Sequence, residues 1–183
     1  MAGSFFDKDV LNILWSEVNG DLEASFFTSC FVSYLELLME KYPSATVIVF
    51  WTNSCPYQNR NAKIASALAN FSKSHKITIY QKYLEVVHTH MECDSVNSSV
   101  EKANKNINLP AGYIRVNKGS RKNRYGVKYC ELSFFKNYKA ICDLPPTKPV
   151  KEEGRPYIVD IWQLKYTPDG TIYTNLIKSR ESA

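Results

Sequence analysis

The sequence predicts an α/β protein with some parallel strands and with helices on both faces of the sheet, and three observations indicate this class. Segments typical of strands alternate with segments of helical periodicity over the first two thirds of the chain. Residues 46–51 form an unbroken apolar run rich in β-branched side chains, which favours a central strand buried on both faces. A turn signal near the C-terminus, flanked by two segments typical of strands, predicts a β-hairpin.

The first half of the chain is predicted to contain two strands and two helices. A strand over 9–15 precedes a turn at Asn19-Gly20. Asp21 is expected to cap a helix over 22–41, where apolar residues recur at helical spacing until Pro43. The strand over 46–51 follows, and then a second helix over 59–73.

A strand over 76–83 leads to a third helix, capped by Asp94 or Ser95 and closed by Pro110. This alternation predicts some parallel strands with helices on both faces of the sheet. Beyond it we expect a short strand over 113–116 and a short helix over 132–138.

Three regions are predicted along the chain. Residues 5–142 form the main domain, and 143–156 are a linker segment rich in proline and charge. Residues 157–183 form a C-terminal extension that packs on the same domain. Its strands over 157–166 and 171–177 flank the turn signal Pro168-Asp169-Gly170, which predicts a β-hairpin.

Composition limits the class of protein. The chain has 183 residues, of which 44% are hydrophobic and 22% charged, which is enough for one compact domain with a core. No apolar run approaches the roughly 18 residues that span a bilayer, so no membrane partner is expected. The five cysteines are odd in number and lack CxxC spacing, which favours a reducing compartment over disulfides or structural zinc. A net charge of +5 permits contact with nucleic acid.

The first candidate site is the polar segment after the apolar strand, residues 51–61. Loops at the carboxyl ends of strands face the functional crevice in open α/β sheets, so a cluster of amides there can bind a polar ligand. A polar turn that caps the next helix explains the same residues and is the more common outcome. The candidate residues of this segment are Trp51, Asn53, Cys55, Gln58, Asn59 and Asn61.

The second candidate site is the segment 88–94. If the chain is extended there, His88, His90, Glu92 and Asp94 project from one face, because side chains alternate along a strand. Imidazoles and carboxylates arranged in this way can hold a divalent metal. The equally weighted alternative is that Asp94 caps a helix and the histidines lie along a sheet edge.

The third candidate is a basic stretch between residues 115 and 128 that contains no acidic residue. The interleaved Tyr113 and Tyr125 could stack on bases, although most clusters of this size are solvated loops. The basic residues are Arg115, Lys118, Arg121, Lys122, Arg124 and Lys128.

Two of these segments resemble motifs of transposon-encoded DDE-type transposases. That family shows a strand ending in W-S-D-N-C, two variable residues and Q-N-[KR]-N, followed later by H-T-[HY]-M and D-S-[FV]-H. This chain has Trp51, Cys55 and the run Gln58-Asn59-Arg60-Asn61, followed by His88-Thr89-His90-Met91 and Asp94-Ser95-Val96. The resemblance extends from about Trp15 to Lys128.

The resemblance implies a ribonuclease H-like fold, a central mixed sheet flanked by helices, in this chain without its first strand. In enzymes of this fold three acidic side chains hold two divalent metals for phosphodiester transfer. Magnesium prefers charged oxygen ligands, and a neutral amide oxygen cannot offset two closely spaced cations. In this chain Asn53 occupies the position of the second-strand aspartate, and Ser54 and Asn97 also depart from the pattern. The first acid would lie on an earlier strand, and the chain begins close to where that strand is expected. Asp94, with Glu92 beside it, is the remaining acidic position.

The sequence therefore favours a domesticated, catalytically inactive domain that binds a protein partner, a second copy of itself or DNA in a nuclear setting. For such a domain we expect no cofactor and no small-molecule substrate. The alternative is an active or truncated transposase or nuclease, which would require Mg²⁺ and a further carboxylate such as that of Glu17. A scaffold without affinity for nucleic acid is the third hypothesis, because aromatic residues make up 13% of the chain and are common in interfaces.

Overall fold

The computed structural model describes residues 2–3, 10–56, 58–84, 92–103, 110–120, 126–139 and 160–176. It confirms an α/β protein with mixed sheets flanked by helices. The chain divides into two compact units, one built from 1–22 and 90–135 and the other from 23–89 and 136–183. None of the described helices is both long and apolar enough to cross a membrane.

Seven strands and four helices make up the described secondary structure, together with a 3-10 helix at Leu132–Phe134. In chain order they are β1 (Ala2–Gly3), β2 (Val10–Leu14), α1 (Ala24–Lys41), β3 (Val47–Thr52), α2 (Ala62–His75), β4 (Thr78–Tyr83), α3 (Glu92–Ala103), α4 (Pro110–Gly119), β5 (Gly126–Tyr129), β6 (Ile161–Tyr166) and β7 (Ile172–Leu176).

The first unit contains a three-stranded sheet in the order β1-β2-β5, together with α3 and α4. Strand β2 is antiparallel to β1 and parallel to β5. The side chain of Asn12 on β2 donates a buried hydrogen bond of 2.8 Å to Asn117 on α4, which ties the helix to the sheet.

The second unit contains a four-stranded mixed sheet in the order β3-β4-β6-β7. Strands β3 and β4 are parallel and are connected by the crossover helix α2, as a parallel pair requires. Strands β6 and β7 form an antiparallel hairpin, and β6 pairs antiparallel with β4. Gly170 adopts a φ of 87° in the hairpin turn, which a residue without Cβ tolerates. The predicted hairpin is confirmed, and it pairs with β4.

The core of this unit lies between one face of the sheet and the helices α1 and α2. Leu35 of α1 and Leu68 of α2 are fully buried against Ile79 of β4 and Tyr166 of β6. Strand β4 buries every second residue, as expected for a sheet with one covered face.

Strand β3 differs from the expectation of a central strand buried on both faces. Among the described residues it is an edge strand of its sheet, and Val47, Val49 and Trp51 are each about half exposed. Helices α1 and α2 share one face of this sheet, so the expected covering of both faces is not met by the described part of this unit. An apolar run of this length does not distinguish a central strand from an edge strand with one open face.

Several local predictions were wrong. Residues 113–116 lie within α4 rather than in a strand, and Pro110 begins that helix instead of closing the previous one, because its fixed φ suits a first helical position. Helix α3 begins at Glu92, so Asp94 lies inside its first turn and does not cap it. Helix α1 is preceded by Glu23 rather than Asp21.

Candidate functional site

The loop between β3 and α2, residues 53–61, contains most of the predicted motif. Hydrogen bonds connect the start of this loop to the end of the neighbouring strand β4. The hydroxyl of Ser54 donates to the carbonyl of Leu84 at 2.8 Å, and the amide of Leu84 donates to the carbonyl of Thr52 at 2.9 Å. The loop therefore starts at a fixed point at the carboxyl ends of β3 and β4.

Asn53 is exposed, and its side-chain oxygen closes the loop. This oxygen accepts a hydrogen bond of 2.6 Å from the side-chain amide of Asn59 and a longer one of 3.3 Å from the backbone N–H of Cys55. One carboxamide oxygen thus connects the beginning of the loop to a residue six positions later. The Asn53 side chain is therefore a hydrogen-bond acceptor for two N–H groups of the same loop.

The remaining motif residues continue the same closed turn. The carbonyl of Cys55 accepts from the backbone N–H groups of Asn59 and Arg60 at 2.9 and 3.1 Å. Asn61 is the N-cap of α2, because its side-chain oxygen accepts from the N–H of Ile64 at 3.1 Å. Its side-chain N–H donates to the carbonyl of Pro56 at 3.1 Å. The polar turn that caps the next helix is therefore present.

Below the loop, a buried hydrogen-bond network connects it to the sheet. The carbonyl of Asn59 accepts from the side-chain amide of Gln81 at 2.8 Å and from the hydroxyl of Tyr83 at 3.3 Å. The side-chain oxygen of Gln81 accepts from the hydroxyl of Tyr166 at 2.7 Å. Gln81 and Tyr166 are fully buried, so each polar atom depends on these partners.

Arg60 lies at the centre of this region with only 7% of its surface exposed. Its guanidinium donates to the carbonyl of Ile161 at 2.7 Å and lies 4.2 Å from the centre of the Tyr83 ring. The guanidinium therefore joins the loop to strand β6.

The protonation states in this network are fixed near neutral pH. Burial lowers the pKa of Arg60, and burial raises the pKa values of Tyr83 and Tyr166 above that of a free phenol. A phenol with a raised pKa stays protonated at neutral pH and cannot act as a base. Both phenols therefore keep the hydroxyl hydrogens that they donate to Asn59 and Gln81.

The segment 88–94 is only partly described. His88 and His90 lie outside the described residues, whereas Glu92 and Asp94 are in α3, which belongs to the other unit. The backbone at these two positions is helical, so the extended conformation on which the predicted metal site depended is not present there. Within the described ranges, no group of three His, Cys, Asp or Glu side chains is arranged to hold a metal.

The basic stretch is only partly described. Arg115 and Lys118 are exposed on α4, whereas the ammonium group of Lys128 on β5 lies 4.5 Å from the centre of the Phe134 ring. Arg121, Lys122 and Arg124 lie outside the described residues, as does Tyr125.

Sequence reasoning missed the buried network of Gln81, Tyr83 and Tyr166. The one available signal is Gln81, a polar residue at a core-facing position between Ile79 and Tyr83. Its partners lie 22 and 85 positions away along the chain, so the sequence could not identify them.

The role of Asn53 predicts different outcomes for two substitutions. Asn53→Ala removes an acceptor of two hydrogen bonds and is expected to lower the free energy of unfolding by about 0.5–1 kcal/mol. Asn53→Asp keeps an oxygen acceptor for both donors, so we expect stability within about 0.5 kcal/mol of the wild type. Urea unfolding followed by circular dichroism measures both values. Equal losses for the two variants would contradict the assigned role of the oxygen.

No protein-family model, curated protein or solved structure matches this chain.

Proposed function

We propose that this chain is a transposase-derived domain with a ribonuclease H-like ancestry that has lost its catalytic metal site and acts as a binding module. The observation that carries the proposal is the environment of Asn53. Its side-chain oxygen is bonded to Asn59 and to the backbone of Cys55, at the position where the motif has a metal-binding carboxylate.

The donor set does not fit a pair of magnesium ions. A carboxylate supplies negative charge and free lone pairs, whereas the Asn53 oxygen is neutral and already accepts two hydrogen bonds. No catalytic step is assigned to this site.

Loss of catalysis is compatible with retention of the motif, because its other residues support the fold. Asn61 caps α2, and Arg60 is buried between the loop and β6. Substituting these residues would destabilise the domain whether or not it cleaves a phosphodiester. The two sequence motifs support a ribonuclease H-like fold, and the α/β architecture with mixed sheets is compatible with it.

The proposed module acts in the nucleus and binds a protein partner, a second copy or DNA. The excess of basic residues, with a net charge of +5, supports the nucleic-acid version. Exposed Arg115 and Lys118, three positions apart on α4, present two cations on one side of that helix.

A cleavage assay separates this proposal from an active nuclease or transposase. We expect wild-type protein, incubated with end-labelled single- and double-stranded DNA and Mn²⁺, to give no product above an Asp94→Ala control. The control is matched because Asp94 is the acid of the second motif and a two-metal enzyme would depend on it. Cleavage by the wild type that the Asp94→Ala variant lacks would reject the binding-module proposal.

A further inference from the structure

The four-stranded sheet of the second unit has a face that α1 and α2 do not cover. We call it the open face: the odd-numbered residues 47–51 of β3, the even-numbered 78–82 of β4, Lys165 of β6 and the odd-numbered 173–175 of β7. Gln163, beside the register shift in β6, is buried and does not belong to it. Trp51 is 51% exposed and Tyr173 is 53% exposed, although both rings have large apolar surfaces. An exposed patch of this kind on a sheet is often a site of interaction.

Aromatic rings and lysines are interleaved on the open face by the strand register. Lys82 is directly opposite Trp51, and its ammonium group lies 5.0 Å from the centre of the indole ring. Lys165 is opposite Tyr80 on one side and Tyr173 on the other, at 5.6 and 5.8 Å from the two ring centres. Three rings and two cations therefore occupy adjoining positions on four strands.

The charged side chains of the open face are all positive. The strand positions that form it include Lys82 and Lys165 and no aspartate or glutamate. The two ammonium groups contact ring faces, which attract a cation more weakly than a carboxylate or phosphate does. The face is therefore complementary to an anionic ligand.

We propose that the open face binds single-stranded nucleic acid, with bases stacked on Trp51, Tyr80 and Tyr173 and phosphates paired with Lys82 and Lys165. Aromatic side chains stack on any unpaired base, and lysines beside them neutralise the backbone. The sheet is about 14 Å wide across its four strands, which suits a short run of nucleotides. This proposal rests on the proposed function: a binding module without a catalytic site would hold the bound strand without cleaving it.

Other occupants fit less well. A duplex keeps its base faces stacked inside the helix, so the three rings would have nothing to stack on. A second copy of the same face would bring lysines of like charge together in a symmetric interface. An acidic peptide would pair with the lysines but offers no planar groups for the rings.

Fluorescence anisotropy in EDTA tests the proposal with the full chain and two labelled probes of about 12 nucleotides, oligo-dT and oligo-U, which separate DNA from RNA as the source of the ligand. We expect at least one probe to bind. Trp51→Ala and the double variant Lys82→Glu/Lys165→Glu are each expected to weaken binding about ten-fold or more. The double variant should also reduce the slope of log affinity against log salt by about 1.4, the value for two phosphates on a single strand.

The matched control is Lys63→Glu/Lys73→Glu, which makes the same charge change on α2, the helix on the covered side of the sheet. It is expected to bind within about two-fold of the wild type, since remote charges are screened by salt. Circular dichroism checks that each variant is folded.

Three results would overturn the proposal: no binding of either probe at low salt, equal losses in the matched control, or tighter binding of a duplex of the same length. Self-association of the chain that Trp51→Ala abolishes, without binding of either probe, would assign the face to a second copy instead. Because EDTA removes divalent metals, none of these results depends on whether the chain has a metal site. The proposed function is tested separately, because cleavage of DNA by the wild type in Mn²⁺ would contradict it.

Discussion

Replacing Gln81 by leucine is expected to lower the free energy of unfolding by about 2–3 kcal/mol. The substitution removes the acceptor of the Tyr166 hydroxyl and one donor to the carbonyl of Asn59, and it leaves the fully buried hydroxyl without that partner. An unsatisfied buried polar group typically costs about 1–3 kcal/mol, which outweighs the small gain from a more apolar side chain. Urea unfolding monitored by tryptophan fluorescence gives the value.

The double-mutant cycle with Tyr166→Phe shows whether the two side chains act through each other. Tyr166→Phe alone is expected to cost about 1–2 kcal/mol, because it leaves the oxygen of Gln81 unpaired. In Gln81→Leu/Tyr166→Phe both polar groups are absent, so the combined loss should be smaller than the sum by about 1 kcal/mol. Strict additivity, or a loss below about 0.5 kcal/mol for Gln81→Leu, would contradict the hydrogen-bond network.

Replacing Arg60 by alanine is expected to cost about 3 kcal/mol. The variant loses the charged hydrogen bond to the carbonyl of Ile161 and the contact with the Tyr83 ring. Hydrogen bonds from charged groups contribute about 1.5–3 kcal/mol and a desolvated cation–ring contact up to about 2 kcal/mol. Desolvation of the guanidinium, which also lowers the pKa of Arg60, offsets part of this sum. Thermal and urea unfolding measure the loss.

Two further variants make the Arg60 result specific. Arg60→Lys keeps the charge but loses the planar donor group, so it should recover less than half of the stability lost in Arg60→Ala. Lys73→Ala on α2 removes an exposed cation and is expected to change stability by less than about 0.5 kcal/mol. If Arg60→Lys is as stable as the wild type, the guanidinium geometry has no special role.

Local sequence patterns predicted most of the elements of the second unit. Helix α1 and helix α2 lie within two or three residues of the predicted bounds, because their apolar residues recur at helical spacing. The hairpin of β6 and β7 follows from Pro168-Asp169-Gly170, where Gly170 supplies the positive φ.

Strand β5, which the sequence did not predict, depends on pairing with a strand that is distant along the chain. Strand β5 lies in the basic stretch and forms because residues 126–129 pair with β2, more than a hundred positions earlier. The register of such pairing cannot be derived from a four-residue segment. Whether β3 is central or at an edge depends in the same way on its neighbours in the sheet.

The candidate site was predicted in part. The sequence located the loop after β3 and suggested a polar turn that caps a helix, which Asn61 confirms. It did not indicate that Arg60 is buried, since a lone arginine in a polar segment usually lies at the surface. The open face was also missed, because its alternating lysines and aromatic residues come from strands that are distant in sequence.

We propose that Asn53 has a structural role and that the domain lacks a two-metal site. Isothermal titration calorimetry of the wild type and the Asn53→Asp variant with MgCl₂ and MnCl₂ tests it most directly. We expect no heat of binding at micromolar metal for the wild type, and none for Asn53→Asp, because one added carboxylate does not complete a three-acid site. Micromolar binding of either metal to the wild type would contradict the account.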